Sequence, residues 1–324
     1  MADSTGQRRV KSRVIGITLG DAAGVGPEVI RGALESGRLD ENFTYRLLGN
    51  AEGVTPGKPT PETARDALAA LEEAARLAQW GEIAAVVTGP VHKARMRAAG
   101  FSFPGQTEFF ADRWAAPNFA MLLTGGTLTV ALVTAHVPLK EVAGLLSEEE
   151  IVRVGRLLAD FLRLRRGGKA RIAVAGLNPH AGEDGLLGGE EERIIAPAVR
   201  RLGAEGQAEW TGPLSPDTVF HRAAGGEFDG VLCMYHDQGL IPLKLHAFDQ
   251  GVNVTLGLPH VRTSPDHGTA FDIAGTGKAR PESMIAAINL AAELVRKRRK
   301  LIAALKRKTI KIPAHLIERL RKRP

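Results

Sequence analysis

From residue 14 onward, short apolar runs of strand length alternate with amphipathic stretches of helical period, and this alternation restricts the fold more than any other feature of the chain. VIGITLG at 14–20, IAAVV at 83–87, LTVALVTA at 128–135, RIAVAGL at 171–177 and the apolar run at 231–234 are the strands. Near-continuous apolar runs of this kind belong to strands covered on both faces. Between them, PETARDALAALEEAARLAQW sets Leu68, Leu71, Ala75 and Leu77 toward a core, and Gly81 ends the helix. Ser147 and Glu150 form a capping box ahead of Ile151, Val154, Leu158 and Phe161, again at helical spacing, and a further helix lies near 190–202. The pattern predicts an α/β protein with a mostly parallel sheet and helices on both faces. A chain of 324 residues divides that architecture into two α/β/α lobes.

Composition narrows the class. Apolar residues make up 44% of the chain, and no stretch approaches the eighteen or so that span a membrane. The N-terminal MADSTGQRRVKSR is polar and basic, without a secretory pattern, so the expected compartment is the cytoplasm. Cys233 is the only cysteine; that excludes an intrachain disulfide and a cysteine-based zinc cluster, and its strand position predicts an inert core thiol. The net charge of +7 belongs to the tail: residues 291–324 hold thirteen Lys and Arg against two Glu, which leaves the remainder at −4. The clusters at 296–300 and 306–311 interleave with Leu301, Ile302 and Leu305 as a solvated helix face would. No aromatic residue joins them for base stacking, so no membrane partner is expected and nucleic acid is left only as a distant alternative, that of a non-catalytic protein binding it through this tail.

The densest chemistry lies at 229–278. There the run Val231 to Met234 empties into Tyr235, His236, Asp237, Gln238 and Gly239, and Lys244, Asn253, Arg262, Asp266 and His267 follow. Cations, carboxylates and imidazoles interleaved with Gly, Leu and Pro suit neither a core nor a solvated face, and predict a functional site. His136, His180 and His236 each stand one to three residues past the end of an apolar strand, where open α/β sheets bind ligands. Three imidazoles with an open position suit a catalytic divalent cation. Lys244, Asn253 and Arg262 supply cations and an amide for an anionic substrate. His92 and Lys93 follow a strand directly, as binding residues or as an ordinary helix start. DAAGVGPEV after the first strand reads either as a tight turn, with Gly24 and Gly26, or as a weak anion loop, since the GxGxxG spacing is absent.

The blocks TGPVHKARMRAAGFSFPGQTEFFAD, LVTAHVPL, GLNPHAGEDG, GPLSPDTVF, MYHDQGLIPLKL and GVNVTLGLPHVRTSPDHGTAFDIAGTGKA resemble the 4-hydroxythreonine-4-phosphate dehydrogenase family of vitamin B6 biosynthesis, from about residue 14 to 295. GDAAGVGPEV and HGTAFDIAGTGKA resemble, more faintly, isopropylmalate and isocitrate dehydrogenases. The resemblance implies a cleft between a cofactor-side lobe (1–125 and 250–324) and a metal and dimerisation lobe (126–249), with the basic tail at 296–324. It implies His136, His180 and His236 as ligands of zinc, magnesium or cobalt, completed across a homodimer. It also implies Gln106, Thr107, Lys244, Asn253 and Arg262 at the substrate, and His267, Gly268, Thr269, Ala270 and Asp272 at the adenosine of NAD, with NADP as the alternative. Asp272 would repel a 2′-phosphate. Lys244, Asp237 and Asp266 stand as proton-transfer residues for oxidation and decarboxylation of a phosphorylated hydroxy acid.

The chain departs from the family in the substrate loop. Most members have His then Thr; here the pair is Gln106 and Thr107. Gln bonds in both senses but neither carries charge nor shuttles a proton. The departure therefore opens D-threonate or D-erythronate 4-phosphate as substrates beside 4-phosphohydroxy-L-threonine.

Overall fold

The computed structural model describes residues 12–309, with side chains to residue 305. Residues 1–11 and those beyond 309 lie outside the described residues. Strands are β1 (Val14–Thr18), β2 (Thr44–Leu48), β3 (Ala85–Thr88), β4 (Ala120–Gly125), β5 (Leu128–Leu132), β6 (Arg171–Ala175), β7 (Glu209–Leu214), β8 (Gly230–Cys233), β9 (Val252–Leu256) and β10 (Val261–Pro265). Helices are α1 (Gly26–Glu35), α2 (Pro61–Trp80), α3 (Lys93–Ala98), α4 (Gln106–Arg113), α5 (Leu139–Leu145), α6 (Glu148–Arg166), α7 (Ala196–Glu205), α8 (Pro216–Ala224), α9 (His236–Ala247) and α10 (Glu282–Thr309). Gly81 closes α2 in the left-handed conformation (φ 72°). Ser147 caps α6 by accepting from the Glu150 amide, while the Glu150 carboxylate turns to Arg153 instead of completing the box.

All ten strands join one sheet in the order β2-β1-β3-β10-β9-β4-β5-β8-β6-β7. Two four-stranded parallel wings, β2-β1-β3-β10 and β5-β8-β6-β7, are stitched together by antiparallel pairing of β10 with β9, β9 with β4 and β4 with β5. The sheet is mostly parallel, as the alternation predicted, but the two wings share it. They also share a core. One apolar layer runs from Ile15 and Ile17 through Leu122 and Ala131 to Ile172 and Val174, beneath α1, α6, α7 and α10. The opposite face carries two separate clusters, Val86 with Phe109 and Phe110 under α2 to α4, and Val130 with Leu240 and Leu243 under α8 and α9. Neighbouring residues such as Val86 and Val87 fall in different layers, as the two-residue period of a strand requires. Cys233 is fully buried, and burial raises its thiol pKa, so the inert assignment holds.

The first basic cluster is not the freely solvated face that its pattern suggested. Within α10, Arg296 pairs with Asp40, Lys297 donates to the Arg165 carbonyl, Arg298 donates to the carbonyls of Leu258 and Pro259, and Arg299 donates to the Ser12 carbonyl. Long basic side chains that lie across a surface this way use their heads to satisfy loop carbonyls. Of the second cluster, 306–309 continue α10, and 310–311 lie outside the described residues.

Candidate active site

The most buried cation among the described residues is the Arg262 guanidinium on β10, only 4% exposed. A cation removed from water is costly unless its donors are bonded. Nη2 donates to Thr88 Oγ1 (2.7 Å) and Gln106 Oε1 (2.9 Å), and Nη1 makes long contacts with Asn253 Oδ1 and Thr255 Oγ1, both at 3.4 Å. Its Nε is buried without a partner, and no carboxylate forms an ion pair with it among the described residues. Burial therefore lowers the guanidinium pKa to about 10, with the charge of Glu108 acting in the opposite direction. Thr107, beside Gln106 in the first turn of α4, brings its hydroxyl to 3.4 Å from Thr255. Three of the predicted substrate residues, Gln106, Asn253 and Arg262, thus form one bonded cluster, and Thr107 reaches it through Thr255.

His136 and His236 also come together, their ring centroids 5.6 Å apart. His236 opens α9, and Gln238, buried two residues later, accepts from the Met234 amide and donates to the Gly176 carbonyl. That bridge ties the start of α9 to the ends of β8 and β6. Asp237 Oδ1 lies 2.7 Å from His236 Nδ1 and leaves the other ring nitrogen free. The pKa of His136 is lowered, first by dehydration of its surroundings, then by Lys93 and His236, with Glu108 opposing. Lowering favours the neutral imidazole that a metal ligand must be. Imidazole pairs oriented by a carboxylate fit a divalent cation well.

His180 does not join them. It opens a run of five left-handed residues, His180 (φ 54°), Ala181, Gly182, Glu183 and Asp184 (φ 54°). Only the third is a glycine, and each of the others costs on the order of 1–2 kcal/mol. Buried Glu191 offsets this strain by accepting from the amides of Leu177 and Asn178 and from the Asn178 side chain. Strained backbone held by its surroundings is characteristic of functional turns. His180 stands near Asp217, and among the described residues no group of three His, Cys, Asp or Glu side chains gathers closely enough to hold a metal.

Lys244 Nζ lies 3.1 Å from Asp266 Oδ2, so two of the three predicted proton-transfer residues are an ion pair, while the third, Asp237, serves His236. In the predicted cofactor segment, His267 Nδ1 is 3.1 Å from the Gly268 carbonyl, which makes Nδ1 the donor and leaves Nε2 an acceptor. That Nε2 is buried with no partner. Gly268 borders open space, Asp272 is exposed, and Ala270 holds a positive φ of 40°. An orphaned acceptor beside open backbone fits a ligand that brings its own donors, such as an adenosine.

The loop after β1 is a structural turn. The Val25 amide donates to Thr269 O, the Gly24 amide to Asp21 O and the Ala23 amide to Asp21 Oδ1. A Cβ on Gly24 would lie 2.6 Å from Thr269 O, so this glycine permits close approach of the cofactor segment. Sequence reasoning did not single out Glu108, Thr88 or Thr255. Glu108 Oε2 is buried and unpartnered; it would sit 3.1 Å from a Cβ on Gly105, with Lys93 Nζ at 4.0 Å from the same point. Its position two residues beyond Gln106, in the first turn of a helix, was the available signal. His92, meanwhile, caps α3 by accepting from the Arg95 amide, the ordinary helix start, and lies 5.9 Å ring to ring from Phe271.

A family model described as pyridoxal phosphate biosynthetic protein PdxA matches residues 28–291. The chain belongs to the PdxA family. Two members show how far the likeness extends. The 4-hydroxythreonine-4-phosphate dehydrogenase of Desulfosudis oleivorans is 44% identical over 320 residues, covering 86% of this chain and 95% of the relative. That of Bradyrhizobium diazoefficiens is 46% identical over 293 residues, covering 88% and 84%. Among solved structures, the 4-hydroxythreonine-4-phosphate dehydrogenase of Klebsiella pneumoniae superposes with a TM-score of 0.75 at 38% identity, covering 88% of this chain and all of the other. A terephthalate 1,2-cis-dihydrodiol dehydrogenase from Burkholderia xenovorans superposes at 0.63 with 27% identity, covering 87% and 98%.

Proposed function

We propose that this chain is an NAD-dependent, divalent-metal-dependent 4-hydroxythreonine-4-phosphate dehydrogenase that oxidises and decarboxylates 4-phosphohydroxy-L-threonine to 3-amino-2-oxopropyl phosphate. The family match over 28–291 carries the reading, and the bonded cluster of Gln106, Asn253 and Arg262 and the pairing of His136 with His236 support it. When bound, a divalent metal would supply Lewis-acid polarisation of the substrate hydroxyl, and a nicotinamide would supply the hydride acceptor. His136 and His236 would hold that metal from one subunit, and His180 would complete the set from the partner of a homodimer.

Exposed apolar side chains support the dimer. Ile241, Leu245 and Phe248 form a stripe along α9 and just beyond it, Leu245 at 89% exposure, and Leu139 and Leu186 stand out near the other two metal histidines. Contiguous apolar surface of this kind marks an interface. Arg262 and Asn253 hold the anionic end of the substrate with Thr107. Lys244, paired with Asp266, is a donor: it binds an anion and can return a proton to the carbon that loses carbon dioxide. Asp237 keeps His236 oriented. His267, Gly268, Thr269, Ala270 and Asp272 receive the adenosine, and exposed Asp272 favours NAD over NADP. The cofactor-side lobe (1–125 and 250–324) and the metal lobe (126–249) divide at the turn between β4 and β5.

The second reading, favoured by Gln106, is oxidation of D-threonate or D-erythronate 4-phosphate. NADH formation by metal-replete protein, with 4-phosphohydroxy-L-threonine beside the two sugar-acid phosphates, separates the readings. Turnover of the amino acid phosphate is the expected result; turnover of a sugar acid alone overturns the first reading.

A further inference from the structure

Gln106 stands where a substrate ligand was expected, yet both ends of its amide are already used. Oε1 accepts from Arg262 Nη2 at 2.9 Å, and Nε2 donates to the Gly89 carbonyl at 3.2 Å. These bonds fix the amide orientation, because the reverse placement would set a donor against the guanidinium and an acceptor against a carbonyl. They also link three elements, since Gly89 follows β3, Gln106 begins α4 and Arg262 lies in β10. The guanidinium has no ion-pair partner to hold it, so its orientation depends on neutral acceptors, of which Gln106 Oε1 and Thr88 Oγ1 are the two at short range.

We propose that Gln106 is a positioning residue that sets the Arg262 fork for the anionic end of the substrate, and that it does not itself bind substrate. The inference rests on the reading above that Arg262 holds that anion. A neutral imidazole can make the same pair of bonds, one nitrogen accepting from Arg262 and the other donating to Gly89 O. The glutamine therefore performs the neutral imidazole's hydrogen bonding without its titration. The charged and titratable groups around the position are Arg262 on β10, Lys93 on α3, Glu108 on α4 itself and His136 after β5. A protonated imidazole there would lose its acceptor and set a cation against Arg262. Arg262 and Lys93 oppose that protonation and Glu108 favours it.

The test compares wild type, Gln106→Ala and Gln106→His by turnover of 4-phosphohydroxy-L-threonine between pH 5.5 and 8.5, and by calorimetric titration of the same proteins with inorganic phosphate. Gln106→Ala should raise KM and the phosphate Kd about tenfold or more, with a smaller change in kcat. Gln106→His should rescue much of that loss above pH 7.5. It should lose the rescue as pH falls through the imidazole range, about 6.5, in KM and phosphate Kd alike, relative to wild type at each pH. The proposal is overturned if Gln106→Ala leaves both constants unchanged, or if Gln106→His follows the wild-type pH profile. Wild type that ignores 4-phosphohydroxy-L-threonine while phosphate binding still follows these variants would sink the substrate reading and spare the positioning role.

Discussion

The Arg262 cluster and the histidine pair are built on opposite principles. Arg262 is enclosed by its own chain, with Thr88, Gln106, Asn253 and Thr255 turned toward it from β3, α4 and β9. His136 and His236 stand at an open edge, and the third imidazole is held elsewhere on a strained turn. One cluster is bonded within the chain; the other, on the reading proposed above, is completed by a partner subunit. The difference follows from chemistry. A buried guanidinium cannot wait for a partner, because unbonded donors in a dry interior are destabilising. Imidazoles are neutral when they bind metal and tolerate partial exposure, so their grouping can be left to assembly.

The sharpest way to break this contrast is subunit mixing. His180→Ala and His236→Ala should each abolish metal-dependent turnover while remaining folded dimers. Hybrids of the two should regain one intact site per hybrid, about a quarter of wild-type activity in an equal mixture. Dead hybrids on chromatographically dimeric protein would show that the three histidines belong to one chain.

A smaller effect is expected at the enclosed site. Arg262→Lys keeps the charge but loses the planar fork, leaving Gln106 Oε1 or Thr88 Oγ1 unmet. KM should rise by roughly ten- to a hundredfold, at a cost of about 1.5–3 kcal/mol. A change of less than threefold would mean that charge alone suffices and the fork is incidental.

The smallest effect separates two imidazoles of lowered pKa. Like His136, His260 has a lowered pKa, here about 4, first through burial and then through Arg298; unlike His136, it packs its ring against Trp114 at 5.0 Å and faces no other histidine. Its folded value lies below the ordinary 6.5, so between those limits the unfolded chain binds the proton and the folded chain does not. The stability contributed is complete above about pH 6.5 and is lost as pH falls toward 4. His260→Gln should remove on the order of 1–2 kcal/mol of that acid sensitivity, once partial exposure is discounted. Urea unfolding at pH 7.5 and 4.5 measures it, and an unchanged difference between the two would refute the assignment.

The strand and helix alternation was legible because buried parallel strands must be continuously apolar and their covering helices amphipathic. β1, β3, β5, β6 and β8 lie where the apolar runs stand, and α2 and α6 end where Gly81 and Gly167 permit a left-handed cap. β9 and β10 did not announce themselves, because VNVTL and VRTSP carry the polar residues of the site on the strands themselves. The residue types of the site were readable from Lys244, Asn253, Arg262 and the three histidines, since chemistry of that density has few structural uses. Their partners were not. That Asp266 would meet Lys244, that Gln106 would face Arg262 from 156 positions away, and that four of the basic residues at 296–300 would close onto backbone carbonyls and an acidic side chain are consequences of chain crossings. The sequence by itself determined the apolar strands and the main amphipathic helices, the identity of the reactive groups and the family, because period and residue type are local properties. Which groups pair, which stay open and where the sheet reverses were decided only when the two parallel wings were joined through β9 and β4, because those facts depend on distance in space.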